Sequence, residues 1–484
     1  MIAQSVTFDQ RLLQVDEYAI AEIITRASSI GYDRWWARVT AAGYCASPIH
    51  LTRSDETGSA KILVRCKNRR QAVCPSCSDL YAGDTWHLVH AGLGGGHDVP
   101  KSVSTHPKVF ITLTAPSFGA VHSAGPLACT STKDDTYSRP RLCRHGRPME
   151  CHSVHDGADE LIGQPICPDC YDYVGHVLFT WHSPELWARF TLTLRRMVRR
   201  ELVSRGESPK ALRVSFVKVV EMQRRGAPHF HSVIRLDSAD VPSKEPPQPP
   251  ATTITADALA GLARQATIST QIEVPGLDRA VRTLAFGSQM DAQILPTPGK
   301  TNETASPVDS GSSSTGRRVA GYLAKYVTKS VADFGLAPRR ISPDTIDYLP
   351  VSDHFRNLLR TIVLVAADSE RERMLDWLHA LGYRGHITTK SRGYSTTMTA
   401  LRARRAEYRQ ESLSQRLDGP LTGASLAITS TPDMPAQSDS EWQYEKHGHA
   451  TSGERLLAVS AAVREREARW AARQLADFRE GAGI

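Results

Sequence analysis

The tripeptide His229-Phe230-His231 lies in a run of apolar and β-branched residues, and a strand sends residues i and i+2 to one face. Both imidazoles therefore point to one side and Phe230 to the other, an arrangement that can chelate a divalent cation. The run from Val214 to Gln223 and the run from His229 to Leu236 form a hairpin signal around Arg224-Arg225-Gly226-Ala227-Pro228. A turn symmetric about Gly226 sets Gln223 opposite His229 and Glu221 opposite His231, so that Glu221 becomes a third ligand. A slip of one residue sends Glu221 to the other face. Alone, His-x-His is also compatible with two ordinary histidines on a strand. Downstream, Tyr322-Leu-Ala-Lys-Tyr326 falls in a helix-compatible stretch from Val319 to Ser330, which puts the tyrosines on one helical face with Lys325 and Lys329 close by. Such a helix can equally form an interface.

The cysteines fall into two groups. Cys74-Pro-Ser-Cys77 is a tight knuckle, and Cys45 and Cys66 upstream complete a four-thiolate set suited to structural zinc. Cys143, Cys151, Cys167 and Cys170 make a second candidate, in which His145, His152 or His155 can displace Cys151 or Cys143. The ninth cysteine, Cys129, is left as a spectator. Nine is an odd number in a chain whose N-terminus lacks the layout of a signal peptide, so disulfides are disfavoured and two zinc ions are expected. No run of about 18 apolar residues exists to span a bilayer, and the chain reads as cytoplasmic.

The elements that must position these residues can be sketched. At 484 residues the chain exceeds one compact core. It carries 59 Lys and Arg against 51 Asp and Glu, a net +8. The stretch from Arg317 to Arg409, with 17 basic and 9 acidic residues, has the same net charge by itself, which suits a polyanionic partner. Residues 1 to 30 read as an amphipathic helix, Val109 to Thr114 as a strand, and Pro184 to Val203 as a helix. The arginines of that last helix, Arg195, Arg196, Arg199 and Arg200, either face solvent or face DNA. Ser238 to Thr253 and Pro296 to Gly316 read as linkers. Helical patterns resume over Arg318 to Val331, Glu370 to Leu381 and Glu454 to Arg479, with 411 to 450 as disordered. Five stretches follow: an N-terminal segment with the four-cysteine element (1–100); a core with the second cysteine element inserted at 141–173 (101–236); linkers and an uncertain insert (237–316); the tyrosine helix and a basic part (317–410); and a disordered segment with a charged helix (411–484).

The pair His229-Phe230-His231 and Tyr322-Leu-Ala-Lys-Tyr326-Val-Thr-Lys329 resembles the two motifs that define the HUH endonucleases. The phrases PKVFITLTAPSFGAVH, EMQRRGAPHFHSVIRLD and VAGYLAKYVTKS are similar to the actinobacterial rolling-circle replication initiators of plasmids and integrative elements, and the resemblance spans roughly residues 40 to 400. It implies an α+β fold: a ferredoxin-like HUH core with an antiparallel sheet, zinc-ribbon-like cysteine elements and a helical C-terminal part. It also implies an enzyme that nicks one strand of origin DNA, single-stranded or extruded as a hairpin, with Mg²⁺ or Mn²⁺ on His229, His231 and Glu221. Attack by a tyrosine leaves a 5′-phosphotyrosine and a 3′ hydroxyl that a host polymerase can extend, with a host helicase as a further partner. Tyr326 matches the nucleophile of single-tyrosine relatives. Tyr322 stands where those relatives carry a glutamate, and becomes a second nucleophile or a positioning group. Lys325 and Lys329 then hold phosphate oxygens. In the late segment Gly382 to Tyr394, Arg384, Lys390 and Arg392 are suited to phosphate contact, though a turn and strand at a domain edge fits equally well. A transposase or relaxase shares this chemistry. A non-enzymatic zinc-containing DNA-binding regulator needs only the cysteines and the basic segment.

Overall fold

In a computed structural model, the described residues are 17–55, 58–125, 129, 141–277, 279–296, 312–329, 335–336, 340–368, 371–417 and 441–482. They form a mixed α+β protein with antiparallel sheets, divided into two units: residues 1–84 with 398–484, and residues 85–397. Among the described residues no helix is long and apolar enough to cross a membrane.

The first unit begins with α1 (Glu17–Ala27), α2 (Tyr32–Ala41), and the hairpin of β1 (Ile49–Asp55) and β2 (Gly58–Val64). Helix α3 (Pro75–Gly94) carries the chain into the second unit, which continues with β3 (Lys108–Leu113), α4 (Tyr173–Ser204), β4 (Leu212–Met222) and β5 (Pro228–Ser238). It goes on through α5 (Ala256–Ile268), β6 (Gln271–Pro275), β7 (Val281–Ala285), β8 (Met290–Ile294), α6 (Ser312–Tyr326), α7 (Asp353–Ala366) and β9 (Thr388–Lys390). The chain then returns to the first unit with α8 (Met398–Leu417), β10 (Gln443–His447) and α9 (Ser452–Ala482). Strand β10 pairs with β1, so part of the stretch expected to be disordered is a strand, while 418–440 lie outside the described residues, as do 1–16 of the expected N-terminal helix.

The second unit is organised by a five-stranded antiparallel sheet in the order β8-β3-β5-β4-β9. One face of β4 and β5 carries Val214, Val220, Phe230, Ile234 and Leu236, all buried against the apolar stripe of α4, where Trp187 stacks on Phe230 at 6.1 Å. Helix α4 is longer than expected because Asp172 caps it, accepting from the Gly175 amide at 2.9 Å; Pro184 sits inside it. The opposite face of the sheet carries Phe110, Thr112, Val217, Val219, Glu221, His229, His231 and Val233. Further along that face a fully buried ion pair joins Arg235 Nε to Asp237 Oδ1 at 2.6 Å, and His106 Nδ1 meets the same carboxylate at 2.8 Å. The segment between the expected linkers, left open by the sequence, supplies α5 and the edge strand β8. Of the expected linkers, Ser238 ends β5 and 239–253 form no regular element, while 297–311 are outside the described residues and 312–316 belong to α6 rather than to a linker.

The turn joining β4 to β5 differs from the symmetric turn expected. Glu221 pairs with His229, and Gln223 closes the loop by receiving the Gly226 amide at 2.8 Å and donating its own to Ala227 O at 2.9 Å. The loop is thus Arg224-Arg225-Gly226, with Gly226 at φ 83°: a three-residue hairpin with its left-handed residue last. Relative to a turn centred on Gly226, pairing moves by two residues, and a shift of two preserves the face. Glu221 therefore stays with the histidines, but opposite His229 rather than His231, where Val219 sits. The turn is held from several sides: Arg225 donates to Ala115 O at 3.2 Å and Pro116 O at 3.3 Å, and His354 Nε2 donates to Arg225 O at 2.8 Å. A Cβ on Gly226 would sit 3.0 Å from Leu381 Cδ1 and 3.1 Å from Phe355 Cε1, besides straining the left-handed backbone. Gly226→Ala is therefore expected to cost about 1–2 kcal/mol; an unchanged urea midpoint would contradict this account of the turn.

Candidate functional site

Helix α6 lies over the histidine face. Ala320, Leu323 and Ala324 form its buried stripe, while Tyr322, exposed, and Tyr326, half-buried, lie one turn apart on another side of the helix and meet the rings of the sheet. Tyr326 stacks on His231 with centroids 5.3 Å apart, Tyr322 meets His231 edge-on at 5.2 Å and Phe110 at 5.9 Å, and the tyrosine rings are 4.6 Å apart. The histidine rings are 4.6 Å from one another. Two motifs separated by about ninety positions in sequence thus share one site.

The helix ends at Tyr326, earlier than expected. Thr328 Oγ1 donates to Lys325 O at 3.1 Å, a local bond that satisfies a terminal carbonyl and turns the chain out of the helix. Lys329 consequently reaches across: its Nζ lies 2.8 Å from Glu221 Oε1 and 4.6 Å from the centre of the Tyr326 ring. Lys325 is exposed.

The electrostatics follow from burial. Desolvation, reinforced by the neighbouring His231, lowers His229 to about 4, so its ring is neutral at physiological pH and able to act as a ligand. Burial works against charge on Glu221, but His231 and Lys329 outweigh it and hold the carboxyl below its usual range. Burial first, then the hydrogen bond with Tyr322, pushes the Tyr326 hydroxyl well above the ordinary phenol value. That hydroxyl is protonated at neutral pH and needs a cation or a base to ionise.

The donor set fits a divalent cation in its chemistry. His229 Nδ1 and His231 Nε2 are both buried without a hydrogen bond, an expensive state for ring nitrogens that a cation relieves. Thr112 Oγ1 sits 3.3 Å from His231 Nδ1, a partner for that nitrogen that leaves Nε2 as the one facing the site without a hydrogen bond. Glu221 Oε2 is 3.5 Å from that Nε2. These three donors are not, however, among the groups whose ligand atoms all lie within 4.8 Å of one another. Glu221 is drawn towards Lys329 instead.

Three other clusters do meet that distance among the described residues, and each could hold zinc. In the first unit, Cys45, Cys66, Cys74 and Cys77 converge as expected: the Cys45–Cys74, Cys66–Cys77 and Cys45–Cys77 sulfurs are each 3.7 Å apart. A tetrahedral ion with metal–sulfur bonds of about 2.3 Å has sulfur–sulfur edges of about 3.8 Å. The amides of Ala46 and Cys66 donate to these sulfurs at 3.3 Å. In the second unit the expected set changes. Cys143, Cys167 and Cys170 are joined by His145, which takes the place expected of Cys151: Cys143 Sγ is 3.6 Å from Cys167 Sγ, and His145 Nδ1 is 3.3 Å from Cys170 Sγ. The turn at Gly146 (φ 72°) lets residues 143 and 145 present donors to one point. Burial opposes charge on Cys143, yet backbone donors at His145 and Arg147 and the neighbouring thiols bring it down to about 6. Cys151 instead groups with His122, Cys129 and His155, so that Cys129, expected as a spectator, lies in a third cluster that could hold a metal, beside the two expected.

The suggested DNA contacts lie elsewhere. Arg384 donates to Trp181 O at 3.2 Å and stacks on the Trp181 ring at 4.5 Å, Lys390 donates to Ser391 O and Arg392 O, and Arg392 is exposed. None of them is in contact with the histidine and tyrosine rings. Sequence reasoning missed Phe110 and Thr112, which the register of β3 against β5 brings to His231. The strand itself was legible, but no local signal reports its partner.

A protein whose sheet carries paired histidines under a two-tyrosine helix can be compared with known chains. Residues 31–463 match the family model described as replication initiator protein, pSAM2 (RepSA). The chain belongs to this family of replication initiators. A replication initiator protein of Streptomyces ambofaciens is 37% identical over 472 residues, covering 93% of this chain and 94% of that one. No solved structure matches the chain.

If zinc occupies the first two clusters, Cys77→Ser and Cys170→Ser should each remove about one ion per chain and lower the folded yield, because metal binding is coupled to folding. Elemental analysis tests this; zinc-free protein of unchanged thermal stability would contradict it.

Proposed function

We propose that this replication initiator is an HUH-type nuclease that nicks one strand of a plasmid or integrative-element origin through Tyr326. The observation that carries the reading is the stacking of Tyr326 on His231 and the edge-on contact of Tyr322 with the same ring, over a face that also holds His229 and Glu221, with Lys329 reaching Glu221. The five-stranded antiparallel sheet is compatible with the ferredoxin-like core that such enzymes use, and family membership favours an initiator over a transposase, a relaxase or a non-enzymatic regulator.

In this mechanism His229, His231 and Glu221 would hold Mg²⁺ or Mn²⁺, and the ion would supply polarisation of the scissile phosphate and offset charge on its oxygens. Lys329 must release Glu221 for that carboxylate to turn inward, and its ammonium is then available to a phosphate oxygen. Tyr326 Oη attacks phosphorus, a bond forms between them, and the bond to the 3′ oxygen breaks. The phenolic proton is lost, and the departing oxygen takes one up to become a 3′ hydroxyl. Tyr322, in hydrogen bond with Tyr326, positions it or serves in a second transfer that rejoins the strand. Lys325, Arg384, Lys390 and Arg392 supply backbone contacts to single-stranded or hairpin origin DNA. A host polymerase extends the 3′ end, with a helicase as a further partner, in the cytoplasm.

Tyr326→Phe keeps the ring and its packing and removes the attacking oxygen. With single-stranded origin DNA and Mg²⁺, this variant should bind DNA as the parent does but form no SDS-resistant adduct and no nick; Tyr322→Phe should still form the adduct. His231→Ala should lose cleavage and keep most binding, since affinity comes mainly from contacts of basic residues to phosphates. Full nicking by His231→Ala would sink the metal assignment.

A further inference from the structure

The third cluster lies outside the site just described, and its four residues come from three separate stretches of the second unit. We infer that His122, Cys129, Cys151 and His155 hold a structural zinc ion of their own, and that this ion fixes the loop bracing the β4–β5 turn. The inference does not depend on the proposed nicking reaction.

The distances are those of a coordination shell. His122 Nδ1 lies 3.2 Å from His155 Nε2, Cys151 Sγ lies 3.3 Å from the same Nε2, and Cys129 Sγ lies 3.8 Å from His122 Nδ1. Tetrahedral zinc with nitrogen at about 2.0–2.1 Å and sulfur at about 2.3 Å gives edges of roughly 3.3–3.8 Å. A second observation stands apart from convergence. His155 Nδ1 is 2.6 Å from Asp159 Oδ2. An ionised carboxylate can only accept, so Nδ1 carries the proton and Nε2 presents its lone pair to the cluster, the carboxylate–histidine–zinc arrangement of bound sites. The Ser123 amide, 3.2 Å from Cys129 Sγ, is a donor suited to a thiolate. On binding, the two thiols release their protons to solvent.

The ion's place explains its use. Beyond His155 the chain runs through Gly157 and Asp159, whose carbonyls accept from the two terminal nitrogens of Arg224 at 2.6 and 3.1 Å. It returns beside His122, with Gly163 N donating to His122 O at 2.8 Å and His122 N donating to Gln164 O at 2.9 Å. Gly163 (φ 86°) passes so close that a Cβ would lie 2.6 Å from the Arg224 carbonyl carbon. Arg224 opens the loop that sets Glu221 opposite His229.

The test uses the full chain purified with zinc. Three ions per chain are expected, against two in Cys129→Ser/Cys151→Ser, with hydrogen exchange faster at the amides of residues 224–226 in that variant. An equal zinc count in parent and variant overturns the site, and a lower count with unchanged exchange at the turn overturns the bracing role. Should the double variant fail to fold, Asp159→Asn retains all four ligands. One of its three ions should then pass to a chelator with affinity weakened about 10- to 100-fold; parental retention of all three would overturn the assignment of Asp159 and His155.

Discussion

The pairing register of β4 against β5 is the constraint on which the rest of the site depends. Side chains alternate along a strand, so displacement by a single residue would exchange His229, His231 and Glu221 for Phe230, Val220 and their neighbours, burying charge against α4 and exposing the core. The apolar face therefore protects the polar one. Trp187, Phe190 and Leu194 of α4 can pack only if Phe230, Ile234 and Leu236 point towards them, and that choice obliges the imidazoles to face α6.

The turn adds what the faces cannot. Packing against α4 tolerates a register shift of two residues, because such a shift keeps every side chain on its own face. The loop of Arg224, Arg225 and Gly226 removes that freedom, gripped by the carbonyls of 115 and 116, by His354 and by the loop near His155. Electrostatics complete the site. Burial keeps His229 neutral and the Tyr326 hydroxyl protonated, while Lys329 balances Glu221. His229 and the phenol are thus held uncharged and close to one another, and the Glu221 carboxylate is paired with Lys329.

Local features were legible in the sequence and relations between distant segments were not. A two-residue alternation announced the hairpin and the shared face of the histidines, and the spacing of Tyr322 and Tyr326 announced a common helical face. The centre of the turn was misplaced because Gly226 was taken as its middle, whereas a left-handed glycine commonly comes last in a three-residue loop. The Cys-x-x-Cys knuckles and their neighbouring cysteines gave the first zinc candidate whole and three of the four members of the second, with His145 among the alternatives for the fourth. His145 rather than Cys151, and the gathering of His122 with Cys129, depend on how the inserted segment folds back on itself, which spacing along the chain does not encode. Strand β8 escaped for the same reason: five residues between polar stretches become a strand only beside β3.

The central claim is that the tyrosine stacked on His231 is the group that joins covalently to DNA. Peptide mapping by mass spectrometry of protein trapped on single-stranded origin DNA with Mg²⁺ tests it most directly. The account predicts a nucleotide on the peptide containing Tyr326, with fragmentation locating it on that residue. A nucleotide on Tyr322 with none on Tyr326 would reverse the assignment of roles, and an adduct on neither tyrosine would contradict the claim altogether.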